Sequence, residues 1–219
     1  MIPIGDDNTL RRRFPLVNYA LIAVNVAVFL VELGQPDLQA AIVRWGAVPA
    51  RITAGRDLET LVTSMFLHAG WWHLLGNMLF LYVFGDNVED AFGHARYLLF
   101  YLACGVLAGM AQILLAPTSA LPDVGASGAI SGVLAAYLVM FGTNRVRVLI
   151  VIIPATVPAW LMIGVWIALQ VLNGVATVGQ TAQTGGVAYG AHIGGFGGGL
   201  LLALLLRPAP ARRRRHPLR

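Results

Sequence analysis

The sequence predicts an all-α polytopic membrane protein, a bundle of six transmembrane helices, and three observations predict it. Hydrophobic residues make up 58% of the 219-residue chain and charged residues 11%, with a mean hydropathy of +0.73; an average soluble domain carries about 25% charged residues. Six runs are long or apolar enough to enter a bilayer. Basic residues are all arginine, and under a six-span model they divide unequally between the two sides. On one side lie Arg11, Arg12, Arg13, Arg96, Arg145, Arg147, Arg207, Arg212, Arg213, Arg214, Arg215 and Arg219. Arg44, Arg51 and Arg56 lie on the other. The positive-inside rule therefore puts both termini in the cytoplasm, as an even number of spans requires.

Residues 1–13 form a cytoplasmic segment, 14–207 the membrane domain and 208–219 a basic cytoplasmic tail. The first helix is expected at Pro15–Leu33. Arg11 to Arg13 before an apolar run also mimics a secretory signal, but the run is long and lacks a small-x-small cleavage site. The connection from Gly34 to Trp71 carries Trp45, Val48, Leu61 and Phe66, so it is expected in the interface beside the bundle. Trp72–Val88 and Tyr97–Leu115 are the second and third spans. The single cysteine, Cys104, lies inside the third and permits no intrachain disulfide; it reads as a small core residue.

The fourth run, Gly125–Met140, is short. From Ser127 to Met140 it covers roughly 21 Å at about 1.5 Å per residue, against a hydrocarbon core near 30 Å. If its C-terminal end reaches one surface near Arg145, Ser127 lies recessed below the other. The fifth and sixth spans are expected at Val148–Leu172 and Tyr189–Leu206. Ser127 and His192 then both fall near the non-cytoplasmic side at similar depth. The Arg212–Arg215 run, which in another setting reads as a nucleic-acid patch, here reads as an orientation anchor touching lipid headgroups, with no nucleic-acid partner.

Reactive polar groups are rare in lipid, so those present are functional candidates by default. On the second helix His73 and Asn77 share a face, with His68 five residues before His73. As a metal site this is a poor ligand set, without a His-Glu-x-x-His pattern. Hydrogen-bond ties between helices and an oxyanion hole are the other two readings. The backbone N–H of Ser127, in the first turn of the fourth helix, would add a donor favoured by the helix dipole.

Ser127 itself reads either as a small packing residue, since Gly128 and Gly132 form a small-xxx-small pattern, or as a nucleophile. It does not sit in the nucleophile elbow of α/β hydrolases, because Ala129 replaces the second glycine and no strand is expected before it. His192 favours catalysis: a serine hydroxyl needs a base, and histidine is the usual one near neutral pH. Gly195 and Gly199 strip side chains from the face of His192 and allow close approach to the bare Gly128 and Gly132. Glu32, Asp86 and Asp123 are all misplaced to orient the ring. A Ser/His dyad rather than a triad is expected, with some other group holding the imidazole.

These residues resemble the rhomboid intramembrane serine proteases. The likeness runs through His68, His73 and Asn77; Gly85, Glu89 and Gly93; Gly125, Ser127 and Gly128; and Ala191, His192 and Gly195, in order on the expected helices from about Phe14 to Arg207. It implies a six-helix bundle that cuts other proteins' transmembrane helices near the non-cytoplasmic side, without metal or ATP. In it Ser127 is the nucleophile, His192 the general base, and His73 with Asn77 the oxyanion stabilisers. Gly85, Glu89 and Gly93 form a structural turn on the cytoplasmic side. One departure stands out: Ser131 occupies the position, four after the nucleophile, where the family often has an aromatic stacked on the base. Either Ser131 bonds to the site, or Tyr189 or Phe196 supplies the packing.

A recessed hydrolase needs water, and the uncharged stretches Ala116–Val124 and Asn173–Ala188 border the same side as Ser127. The second suits a mobile cap moving with the fifth helix. Helical substrates must unwind before cleavage, so Gly, Pro or similar residues are expected near the cut. Two rival classes are an inactive rhomboid-like protein that binds membrane helices, which would lose Ser127 or His192, and a small transporter, which would show internal repeats. The short termini point to a bacterial inner membrane.

Overall fold

In the computed structural model, residues 1–9, 11–177 and 188–206 are described. The helices are α1 (Leu16–Leu33), α2 (Leu38–Trp45), α3 (Pro49–Thr53), α4 (Thr60–Thr63), α5 (Trp71–Phe92), α6 (His94–Leu115), α7 (Ser127–Phe141), α8 (Ala159–Thr177) and α9 (Tyr189–Leu206). The described residues also form strands β1 (Ile2–Asp6), β2 (Arg145–Ile150) and β3 (Ile153–Pro158). The expected membrane-helix bundle is present. Among the described residues four helices, α1, α6, α8 and α9, are long and apolar enough to cross a bilayer. α7 is apolar but has 15 residues, and α5 has 22 residues but carries Asp86, Glu89 and Asp90 near its end. The chain is an integral membrane protein.

α7 is the axis of the packing. Every residue from Gly128 to Tyr137 is buried, because α5, α6 and α9 surround it; a helix apolar all round belongs in such an interior. Its approach to α9 is close enough to exclude any side chain. A Cβ on Gly195 would lie 2.1 Å from the Gly128 carbonyl oxygen, and one on Gly199 would lie 2.3 Å from Gly132 Cα.

At the opposite end of α5, polar side chains tie α1 into the bundle. Glu89 is fully buried, and its carboxylate accepts the Val17 N–H at 2.9 Å and the Asn18 N–H at 2.7 Å. It thereby caps a helix whose own N-cap, Pro15, offers no side-chain bond. His94 pairs with the same carboxylate. Asn18 fits against the bare face of Gly85, accepts the Tyr97 hydroxyl at 2.7 Å and donates to the Leu81 carbonyl at 3.0 Å. Gly93, at φ +78°, lets the chain turn from α5 into α6.

The region between α7 and α8 departs from expectation. The fifth helix begins at Ala159 rather than Val148, and residues 145–158 form a β-hairpin whose first strand also pairs antiparallel with β1. Arg145, Val146, Arg147 and Val148 alternate exposed and buried, the period of a strand. Pro154 and Pro158 would each remove an amide donor from a helix interior. The apolarity of Ile150 to Ile153 made this stretch look membranous, yet Val151 and Ile152 sit at an exposed hairpin tip.

β1 is anchored through Asp6, whose carboxylate accepts the Tyr137 hydroxyl at 2.6 Å and the Asn87 amide. Burial pushes the Asp6 carboxyl up to about 6. The basic tail, with Arg207 before it, lies outside the described residues.

Candidate active site

Ser127 and His192 meet. The Ser127 hydroxyl donates to His192 Nε2 at 2.7 Å, from the first residue of α7 to the first turn of α9. The glycine-lined contact described above brings the two helices this near, and Gln112 steadies the start of α9 by accepting the Ala191 N–H at 3.2 Å.

The segment entering α7 is shaped by Gly125, at φ +125°. A side chain there would collide with the ring of His73, 2.6 Å from its Nε2, and would lie 3.7 Å from Asn77 Nδ2. The Gly125 N–H bonds to the Ser64 carbonyl at 2.9 Å, fastening this turn to the segment before α5. His73 and Asn77 thus abut the turn that presents Ser127. Both engage His68, in different ways: His73 packs edge-on to its ring, at 5.1 Å between ring centres, whereas Asn77 Nδ2 donates to His68 Nε2 at 3.0 Å. His68 is fully buried, and its backbone N–H reaches the Glu32 carboxylate at 3.2 Å. Gly85, Glu89 and Gly93 lie at the other end of α5, away from this cluster, in the α1 cap and the turn into α6.

The imidazole is held by residues that sequence reasoning missed. His192 Nδ1 donates to Gln170 Oε1 on α8 at 2.8 Å. Trp166, one turn before Gln170, lies against the ring at 5.7 Å between centres with an interplanar angle of 38°. Tyr189 approaches edge-on at 6.4 Å. Of the two aromatics considered for this role, Tyr189 touches the ring, whereas Phe196 packs against the hydrophobic core. Ser131 donates to the Ser127 carbonyl at 2.6 Å, within its own helix. A signal for Gln170 did exist: it is the lone amide in the apolar run Ala159–Leu172. Of Asn173–Ala188, expected to form a cap, residues 178–187 lie outside the described residues.

A hydroxyl bonded to an imidazole, whose far nitrogen is bonded in turn to an orienting acceptor, is the arrangement that activates a nucleophile. Amide and imidazole donors beside the helix N-terminus that carries the hydroxyl suit a developing oxyanion.

Residues 55–209 match the model of the Rhomboid domain. The chain is 32% identical to Rhomboid protease GluP of Bacillus subtilis over 203 residues, covering 88% of this chain and 38% of the relative. It is 36% identical over 151 residues to Rhomboid-like protein 11, chloroplastic, of Arabidopsis thaliana, covering 68% of this chain and 53% of that protein. Rhomboid protein 1, mitochondrial, of Saccharomyces cerevisiae is 27% identical over 208 residues, covering 91% and 56%. The chain therefore spans 38 to 56% of the length of these relatives. With a family model over most of its length and paired helices carrying the expected serine and histidine, the chain belongs to the rhomboid family.

Proposed function

We propose that this protein is an intramembrane serine endopeptidase that hydrolyses peptide bonds in or near transmembrane helices of other membrane proteins. The observation that carries the reading is the 2.7 Å bond from the Ser127 hydroxyl to His192 Nε2, made between two different helices. His192 takes the hydroxyl proton as Ser127 Oγ attacks the scissile carbonyl. The tetrahedral oxyanion is received by the Asn77 amide, the His73 ring and the Ser127 N–H. His192 returns the proton to the leaving amine, the C–N bond breaks, and an acyl-serine remains. A water molecule, deprotonated by the same imidazole, then hydrolyses the ester and restores the free hydroxyl.

Substrates follow from the same chemistry. A carbonyl locked in an i to i−4 helical bond is a poor target, so segments with glycine or proline near the cut, which unwind at low cost, are preferred. The membrane domain of 14–207 sits with both termini in the cytoplasm, as the arginine bias supports, and a bacterial inner membrane is the proposed location.

The test is cleavage of a reconstituted single-span substrate by wild type, Ser127→Ala and His192→Ala, with products mapped by mass spectrometry. Each variant abolishes cleavage while retaining fold, and a serine-directed phosphonate labels Ser127 alone. Turnover by either variant at the wild-type rate refutes the dyad and leaves a helix-binding protein without activity.

A further inference from the structure

Gln170 makes two bonds. Its Nε2–H donates to the Trp166 carbonyl one turn earlier at 3.4 Å, and its Oε1 accepts from His192 Nδ1 at 2.8 Å. An amide presents oxygen on one side and NH2 on the other. Because the NH2 is turned back to its own helix, the oxygen is what meets the imidazole. That oxygen only accepts, so Nδ1 must carry the ring proton and Nε2 must be bare where it faces the Ser127 hydroxyl. A ring lacking this acceptor also populates the form protonated on Nε2, and that form takes no proton from serine.

We infer that Gln170 is a positioning residue, one that selects the base-competent tautomer of His192 for the proteolysis proposed above, on which the inference rests. Trp166 works alongside it, limiting the tilt of the ring from the same face of α8. Gln170 takes the orienting place an aspartate fills in a Ser/His/Asp triad, using a neutral acceptor whose burial costs far less in lipid than a carboxylate's would.

A second consequence follows from where these two side chains sit. Both belong to α8, the least buried of the four long apolar helices. Its seating on α9 runs past Gly174, where a Cβ would lie 3.3 Å from both Ile193 and Tyr189 side chains. A displacement of α8 of about 1 Å carries the Gln170 oxygen beyond hydrogen-bond range. The dyad therefore works at its full rate only while α8 is seated against α9.

The experiment uses the full chain in proteoliposomes with 15N-labelled histidine, the His192 ring signals being assigned by their loss in His192→Ala. Wild type shows His192 protonated on Nδ1 and bare on Nε2; a wild-type ring protonated on Nε2 overturns the inference without any variant. Gln170→Met, which keeps an unbranched chain but no acceptor oxygen, yields a tautomer mixture. Its kcat falls about 10-fold, the worth of one hydrogen bond, with KM unchanged and Ser127 labelling slowed in proportion. Gln170→Glu retains an acceptor, keeps the wild-type tautomer and stays within about threefold of the wild-type kcat. Wild-type kcat or an unchanged tautomer in Gln170→Met overturns the inference, as does an equal loss in both variants. Failure of the dyad itself registers separately, as cleavage by Ser127→Ala in the same vesicles.

Discussion

Gly195→Ala is the sharpest perturbation of the serine–histidine pair, because it touches neither residue. The added methyl would lie 2.1 Å from the Gly128 carbonyl oxygen, 2.9 Å from its carbonyl carbon and 3.2 Å from Ala108 Cβ, whereas ordinary contact begins at 3.4 Å. Backbone of one helix meets backbone of another, so no side-chain rotamer relieves the clash, and the helices must part by about 1.3 Å. Gly128 adjoins Ser127, and Gly195 stands one turn, about 4.5 Å, beyond His192. The separation is therefore delivered nearly undiminished to the pair. The Oγ to Nε2 distance of 2.7 Å opens to about 4 Å, outside hydrogen-bond range.

A misplacement of this size in an active site costs about 10²-fold in rate, and overpacking costs about 1 to 3 kcal/mol of stability. The assay is kcat for a fluorogenic single-span substrate in proteoliposomes, beside the rate of Ser127 labelling by a phosphonate, which reports nucleophile activation independently of substrate binding. Gly197→Ala is the matched control, since no heavy atom lies within 4 Å of its added methyl. It gains about 1 kcal/mol of helix propensity and leaves both rates unchanged. If Gly195→Ala turns over and labels within about threefold of wild type, the glycine contact does not set the spacing of the dyad, and the argument from close approach is wrong.

The oxyanion assignment is tested by Asn77→Ala, expected to lower kcat about 10²-fold, the scale of one lost donor, with little change in KM. A rise in KM with kcat intact would make Asn77 a structural tie to His68 instead. At the other end of the molecule, Asp6 makes the attachment of the N-terminal strand pH-dependent. Its carboxyl, raised from 3.8 to about 6 by burial, holds a proton in the folded strand where the unfolded chain has already lost it. Its contribution is full below pH 3.8 and is lost as the pH rises through about 6. Amide exchange of Ile2, Ile4, Gly5 and Asp6, corrected for intrinsic rates, should show more frequent opening at pH 7 than at pH 5, with the difference flattened in Asp6→Asn. Opening more frequent at pH 5 would contradict the assignment.

Much of this protein was legible in the chain because lipid is a severe solvent. Long apolar runs can only be helices there, since every backbone group must be satisfied within its own segment. The same severity makes each embedded polar residue conspicuous, and it singles out Ser127, His192, His73 and Asn77 as candidates. Glycine spacing likewise announced the α7–α9 contact, because a bare stripe has few other uses in a membrane helix.

Other features depended on which elements become neighbours in space. Whether Val148 to Pro158 continued a span or folded as a hairpin was decided by pairing with β1, more than 130 residues away in sequence; apolarity alone does not distinguish a sheet from a helix. What holds His192 was also undetermined, since Gln170 and Trp166 lie on a separate helix, 22 and 26 residues before the ring they contact. A one-dimensional pattern records which residues share a face of one helix. Only the packing of α7, α8 and α9 against one another determines which faces meet, and so which acceptor the imidazole finds.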